Sequence, residues 1–362
     1  MAAQVGSVYA KMTDKEAECC VSIMVHAVGR VPEARQQAAA ASTLAAALAK
    51  GDEKPEERMS ALLSLFAMVA ANAPAQLAVL LAAAGFAAAS TSPKCRATFC
   101  ASVRGKAARW AAEWKLSPTE SRRLFLALAA PMRGAPDRPT TREHLALVGS
   151  ALALTGAGDD RSPEVVEAAA AALADYLRSA AVLTLDLLPL PGVAGLASHA
   201  KYGPLHKLVA AVLAGDVSAA RAAAVPAALE ACGAGLTADG VLSKARMTAL
   251  LSKCAAAGHG EVALSELKAA LDVPEDQVAP WVVRAIGAKL LEGRLDSVRG
   301  TLTVGRSTHP AFGQAQWTKL GSQLAALKET VAAAAGAMAS VRPPPQVSAR
   351  GVAQAAAARV AA

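Results

Sequence analysis

From about residue 14 to 240 the chain alternates between one pattern and its interruption: apolar residues spaced three and four apart, then a short break. Leu62, Leu63, Phe66 and Val69 show the spacing, as do Leu124, Leu128 and Met132. That period places apolar side chains on one face of an α-helix, so it predicts a succession of amphipathic helices. Breaks fall at Gly51-Asp52, Ser92-Pro93, Ser117-Pro118, Gly134 to Pro139, Gly156 to Asp160 and Pro189 to Gly192. Ser117-Pro118-Thr119-Glu120 supplies a cap, a proline at the first helical position and an acid near the positive end of the helix dipole. Ser162-Pro163-Glu164 repeats the device. Antiparallel pairs of this kind stack into a right-handed array resembling a solenoid. No strict period points to a named repeat family.

Composition supports a mainly α chain. The 362 residues are 54% hydrophobic but only 3% aromatic, so strand-favouring aromatics are scarce and a sugar cleft lined by them is excluded. Lysine and arginine exceed the acids by 37 to 29, a net charge of +8. Arg342, Arg350 and Arg359 of that excess lie in an acid-free tail. The charge suits an RNA-rich neighbourhood and allows a weak RNA contact, without specifying one. No charged residue occurs between Arg58 and Lys94, but Asn72, Pro74 and Gln76 interrupt that stretch. It therefore reads as two buried helices, about Met59 to Ala71 and Ala75 to Ala89, with no membrane contact. The N-terminal residues lack a basic start followed by an apolar run, so no signal peptide is expected, and the expected location is cytoplasmic.

Near Ser243 the grammar changes. Lys244 to Ala256 reads as one helix, Glu261 to Ala263 as a short extended piece, and Ser265 as the cap of a helix carrying Leu267 and Leu271. A third helix follows Asp272-Val273-Pro274-Glu275, with Val278, Trp281, Val282, Ala285 and Ile286 on its buried side. Pro280 within it implies either a late start near Gln277 or a kink. Leu290 to Val298 and Thr301 to Arg306 alternate as strands around the turn at Arg299-Gly300. This is the order of a winged helix. A final helix spans about Ala311 to Ala339, before the proline run at Pro343.

A helical array followed by a winged helix is the composite of the PCI domain, shared by the proteasome lid, the signalosome and translation initiation factor 3. KARMTALLSK (Lys244 to Lys253) is similar to the family's first winged-helix helix. The stretch from Leu290 to Leu320 resembles the M-subunit family of translation initiation factor 3 through Ser307, Thr308, His309, Phe312, Gly313, Gln316 and Trp317. LLSLF (Leu62 to Phe66) and RWAAEWKLSPTESRRL (Arg109 to Leu124) share the likeness. The resemblance implies a non-catalytic scaffold subunit whose partners are the other subunits of that complex and, through it, the small ribosomal subunit. A proteasome-lid or signalosome subunit is the alternative within the fold. A free winged-helix nucleic-acid-binding protein is the alternative of another class.

On this reading residues 1–160 form the N-terminal helical array and 161–308 the PCI domain, helical over 161–242 and winged over 243–308. Residues 309–340 form a C-terminal helix, and 341–362 a disordered tail.

Reactive chemistry has little to stand on. Metalloprotease, phosphate-loop and nucleophile-elbow motifs are absent, and no catalytic residue, cofactor, metal or small-molecule substrate is expected. The six cysteines form no CxxC pair and read as small thiols of a reduced compartment. His199 and His206 are separated by Gly203-Pro204, which argues against a shared metal. His309 beside Ser307 and Thr308 reads as a junction. Thr308 or His309 ends the strand, Pro310 opens the terminal helix, and Phe312 packs back onto the winged helix. Arg284 and Lys289 are the only bases from Gln277 to Leu290, too few for a DNA-reading stripe. Protein docking is expected instead, at two places. Thr301, Leu302, Thr303 and Val304 form a β-prone run expected at the sheet's edge. Trp317, Leu320, Leu324, Leu327, Val331, Ala334 and Met338 alternate by three and four residues as a heptad seam, of which Leu320, Leu324, Leu327 and Val331 are the expected interface.

Overall fold

Helices begin where the chain supplies a cap. In the computed structural model, which describes residues 5–341 except 136, 156–161, 181, 233–235, 259 and 311–313, nine of them form the first half. They are α1 (Val5–Lys11), α2 (Asp14–Gly29), α3 (Ala34–Leu48), α4 (Pro55–Met68), α5 (Ala73–Ala89), α6 (Pro93–Val103), α7 (Ala107–Glu113), α8 (Pro118–Ala129) and α9 (Arg138–Ala153). Ser117 forms a full capping box with Glu120, and Ser92 and Asp137 accept from the amides of Cys95 and Thr140. The array continues with α10 (Pro163–Arg178), α11 (Pro191–Ala194), α12 (Gly203–Ala214), α13 (Val217–Ala223) and α14 (Pro226–Cys232). Ser162 caps α10 through the Val165 amide.

Stacking follows the chain. Helix α2 packs on α4, α3 and α4 on α5, α5 on α8, α8 on α9, α9 on α10, and α10 on α12. Charge-free α5 is the hub, burying Val79, Leu80, Ala83, Ala84, Phe86 and Ala87 against α3, α4, α6 and α8. Its apolar length is thus explained by helical neighbours. No helix among the described residues is long and apolar enough to cross a membrane. Two of the motifs that carry the resemblance meet beside it. Trp110 and Trp114 stack at 5.9 Å, Phe66 packs edge-on at 5.4 Å from Trp110, and the Trp114 indole donates to Gln76.

The winged part comprises α15 (Ala238–Ala257), β1 (Glu261–Ala263), α16 (Leu264–Leu271), α17 (Glu275–Gly287), β2 (Leu291–Asp296) and β3 (Thr301–Ser307). Helix α15 starts six residues before Lys244, because Thr237 caps it through the Gly240 amide. Helix α16 is entered from Ala263, so Ser265 lies inside its first turn. Helix α17 starts at Glu275 and runs through Pro280; a late start is corrected. Proline is tolerated at this sixth position because it removes one hydrogen bond while Val278, Val282 and Ala285 stay buried on one face. Trp281 and Ile286 are half-buried. Leu302 and Val304 complete the core from the sheet.

The chain divides into two units, Met1–Ala311 and Phe312–Ala362. Within the second, α18 (Gln314–Val341) is a single helix of 28 residues, about 42 Å long at 1.5 Å per residue. The expected start of that helix, at Pro310 to about Ala311, abuts residues 311–313 and so falls outside the described residues. The expected packing of Phe312 and the expected disorder of 342–362 fall on residues outside those described.

Candidate protein-interaction surface

The sheet order is β1-β3-β2, antiparallel throughout. This corrects the expected edge. Thr303 pairs with Glu261 on one side and Arg294 on the other, and Leu302 with Val262 and Leu295. Strand β3 is therefore central, with the side chains of Leu302 and Val304 buried. The reason is β1: three residues, too short to show a period, fold back onto Thr301, Leu302 and Thr303. Beyond Thr303 the Val304 amide donates to the Gly260 carbonyl. The edges are β1, only three residues long, and β2, which pairs with no strand but β3 among the described residues. A bulge between Glu292 and Gly293 twists that edge. The hairpin turns through Gly300 at φ +64, a left-handed conformation suited to glycine. Val298 at its tip is 98% exposed.

Charge on the winged helix is mostly neutralised locally. Arg306 lies 3.8 Å from Glu292 and Arg299 4.0 Å from Asp296. On α17 Arg284 lies over the Trp281 ring and donates to the Ser243 hydroxyl, while Val283 is exposed and the helix opens on Glu275 and Asp276. That face is apolar and mixed in charge, unlike a groove-reading helix.

On α18 the seam residues Trp317, Leu320, Leu324, Leu327, Val331 and Met338 are all exposed, from 37% at Leu320 to 75% at Met338. Six large apolar side chains on one helical face form a stripe of the kind that marks an interaction site.

Other residues singled out in the sequence serve the fold. The Ser307 hydroxyl donates to Leu251 and the Thr308 amide to Leu290, pinning the end of β3. His199 accepts from the amides of Lys201 and Tyr202 and stacks on Tyr202; burial lowers the His206 pKa. Burial pushes the Cys232 and Cys254 thiols up to about 11, which removes thiolate character at neutral pH. The described residues hold no group of three potential metal ligands. The Gly156 to Asp160 loop lies outside the described residues.

Periodicity did not reveal the buried polar groups. Asp175 in α10 receives Arg133 Nε at 2.8 Å and Arg178 Nη1 at 2.8 Å, with His144 Nε2 at 3.3 Å. Burial raises the Asp175 pKa, but these donors outweigh it and hold the carboxyl below its usual range. Arg58, buried in α4, donates to the carbonyls of Leu48, Lys50 and Glu53 and lies over the Tyr9 ring. Lys244 in α15 donates to the carbonyls of Tyr176 and Ser179 at the end of α10. The one local signal for these was a lone ionisable residue in an apolar run, as at Asp175.

Residues 239–306, the winged helix almost to its last strand residue, match the PCI domain model. This is a PCI domain. Beyond the PCI domain, the chain is similar to proteins named eukaryotic translation initiation factor 3 subunit M. In Aspergillus terreus the identity is 29% over 237 residues, 64% of this chain and 50% of that protein. In Emericella nidulans it is 30% over 244 residues, 64% and 52%; in Coccidioides immitis it is 23% over 224 residues, 61% and 47%. The chain spans about half the length of the curated relatives it matches. The matched 64% of the chain is longer than residues 239–306, so the likeness is not confined to them.

Proposed function

We propose that this chain is a non-catalytic scaffold subunit of a cytoplasmic translation initiation factor 3 complex, of the M type. The observation that carries the reading is the PCI domain together with the likeness to M subunits, which extends well beyond it. The physical mechanism is surface assembly. The helical array of residues 1–242 sets the spacing between neighbours, and the winged helix offers the outer edge of β2 for strand pairing with a neighbouring subunit. The seam of α18, with Leu320, Leu324, Leu327 and Val331 at its centre, packs into helices supplied by other subunits. Binding to the small ribosomal subunit follows from membership of the complex. The mixed charge of α17 supports protein docking over sequence-specific nucleic-acid reading.

The test is sedimentation of a tagged chain from a translating extract through a sucrose gradient. The tag is expected to co-migrate with other initiation-factor subunits and with the small ribosomal subunit. Migration as a free chain, or with proteasome-lid or signalosome subunits, overturns the reading.

A further inference from the structure

Between α6, the turn after α8 and the start of α9 lie two adjoining cavities of about 500 and 630 Å³. They share Arg96, Arg133, Gly134 and Ala135 as common walls, so they are compartments of one cleft. Arg104 and Asp137 line the first, and His144, Asp175 and Arg178 the second. Four guanidinium groups therefore face two carboxylates.

Three of the four arginines are partly engaged. Arg133 donates its Nε to Asp175, Arg178 donates to the same carboxylate, and Arg104 donates to the Thr140 hydroxyl and lies 3.9 Å from Asp137. Arg96 is different. Its side chain makes no hydrogen bond or ion pair among the described residues, and its Nε is buried without an acceptor. An unpaired buried donor on a cationic group is costly, and native structures rarely keep one without an external partner. Pro93, Arg96 and Ala97 also bring the first turn of α6 to the wall, adding the positive end of that helix's dipole.

The ligand that answers this arrangement is a compact oxyanion. Arginine rather than lysine supplies every cation in the cleft, which favours forked recognition of phosphate oxygens. A phosphate monoester brings a charge of about −1.5 to −2, enough to offset the excess of two positive charges. Among the described residues no Phe, Tyr or Trp lines either cavity, so that lining lacks the stacking platforms that hold single-stranded nucleic acid. Pro93, Pro131 and Ala97 instead give apolar walls suited to the residues flanking a modified side chain. We infer that this cleft binds a phosphoserine- or phosphothreonine-bearing segment of a partner protein, its phosphoryl group held by Arg96 with Arg104 and Arg133. The inference stands apart from the proposed scaffold role, since it concerns the array alone.

The experiment is calorimetric titration of the full chain with four probes: an alanine-flanked phosphoserine hexapeptide, its unphosphorylated form, inorganic phosphate and a decameric uridine RNA. The phosphopeptide is expected to bind one site at least tenfold more tightly than its unphosphorylated form, with phosphate competing. Arg96→Gln removes no side-chain hydrogen bond or ion pair among the described residues, so its thermal melt should match wild type while phosphopeptide affinity falls at least tenfold. Arg109→Gln, on a surface pair with Glu113, should leave affinity unchanged. Equal binding of the two peptides, or full affinity in Arg96→Gln, overturns the inference. Uridine RNA binding more tightly than the phosphopeptide, and lost in Arg96→Gln, overturns it in favour of RNA.

Discussion

The ammonium of Lys244 lies 3.5 Å from the centroid of the Tyr176 ring and donates to the Tyr176 carbonyl. The two residues belong to α15 of the winged helix and α10 of the array. The same ammonium donates to the Ser179 carbonyl at 2.7 Å, so one side chain satisfies two carbonyls at the end of α10. It also locks the array to the PCI domain from inside. Within the array, Arg178 at the end of the same helix donates to the Cys232 carbonyl in α14.

Replacing Lys244 with methionine keeps the stem but leaves both carbonyls unpaired. A loss of about 2 kcal/mol at neutral pH is expected in urea unfolding. The pH dependence is diagnostic. Burial holds the folded pKa of Lys244 well below 10.5, so in that window the unfolded chain binds more protons. Wild type should therefore gain stability relative to Lys244→Met as pH rises toward 10.5, and lose it as pH falls toward the folded value. A stability difference that does not change with pH would refute the buried-cation account.

Asp175→Ala leaves His144, Arg133 and Arg178 around a missing carboxylate. Breaking a buried pair costs about 3–5 kcal/mol, and the partial exposure of Arg133 and Arg178 puts the expectation near the lower figure. The Asp175 pKa is depressed, so its contribution is complete above the ordinary carboxylate value and lost as pH falls through the folded one. Urea unfolding at pH 7 and pH 5 should show the same gap, and a gap that narrows only at lower pH. A gap already closing between pH 7 and 5 would assign the effect to another group.

Gly293 sits where a side chain has no room. A Cβ there would lie 2.6 Å from the Thr303 carbonyl oxygen across the hairpin. Gly293→Ala should force β2 away from β3 and cost about 1–3 kcal/mol. Gly287→Ala at the end of α17 meets nothing within 4 Å and should be neutral or slightly stabilising. Thermal melts of the two variants compare them directly.

The helical array and the winged helix were legible because both rest on local signals: a serine or proline at a helix start, a three-and-four spacing, a glycine at a turn. Ser117 and Ser162 cap where expected, and Val278, Val282 and Ala285 are buried as the spacing of α17 implies. What depends on residues far apart in sequence was not legible. Strand β3 looked like an edge because the three residues of β1 that cover it carry no period of their own. Asp175 and His144 are separated by 31 residues, and no pattern within either helix announces the other. Pro280 suggested a shortened helix, yet burial of one apolar face outweighs the single missing hydrogen bond.

The seam of α18 was readable from spacing alone, and its exposure makes it the sharpest handle on assembly. Because Leu324 and Leu327 are more than half exposed, converting both to aspartate should leave the isolated chain folded and helical by circular dichroism. Covered by partner helices, two carboxylates would be buried at a cost of several kcal/mol. The decisive measurement is an affinity pull-down of tagged wild type and the Leu324→Asp, Leu327→Asp double variant from the same extract, with subunits quantified by mass spectrometry. Wild type should recover the translation initiation factor 3 subunits in near-equal amounts, and the folded double variant should recover almost none. Equal recovery by both, or recovery of a different complex by wild type, would contradict the account.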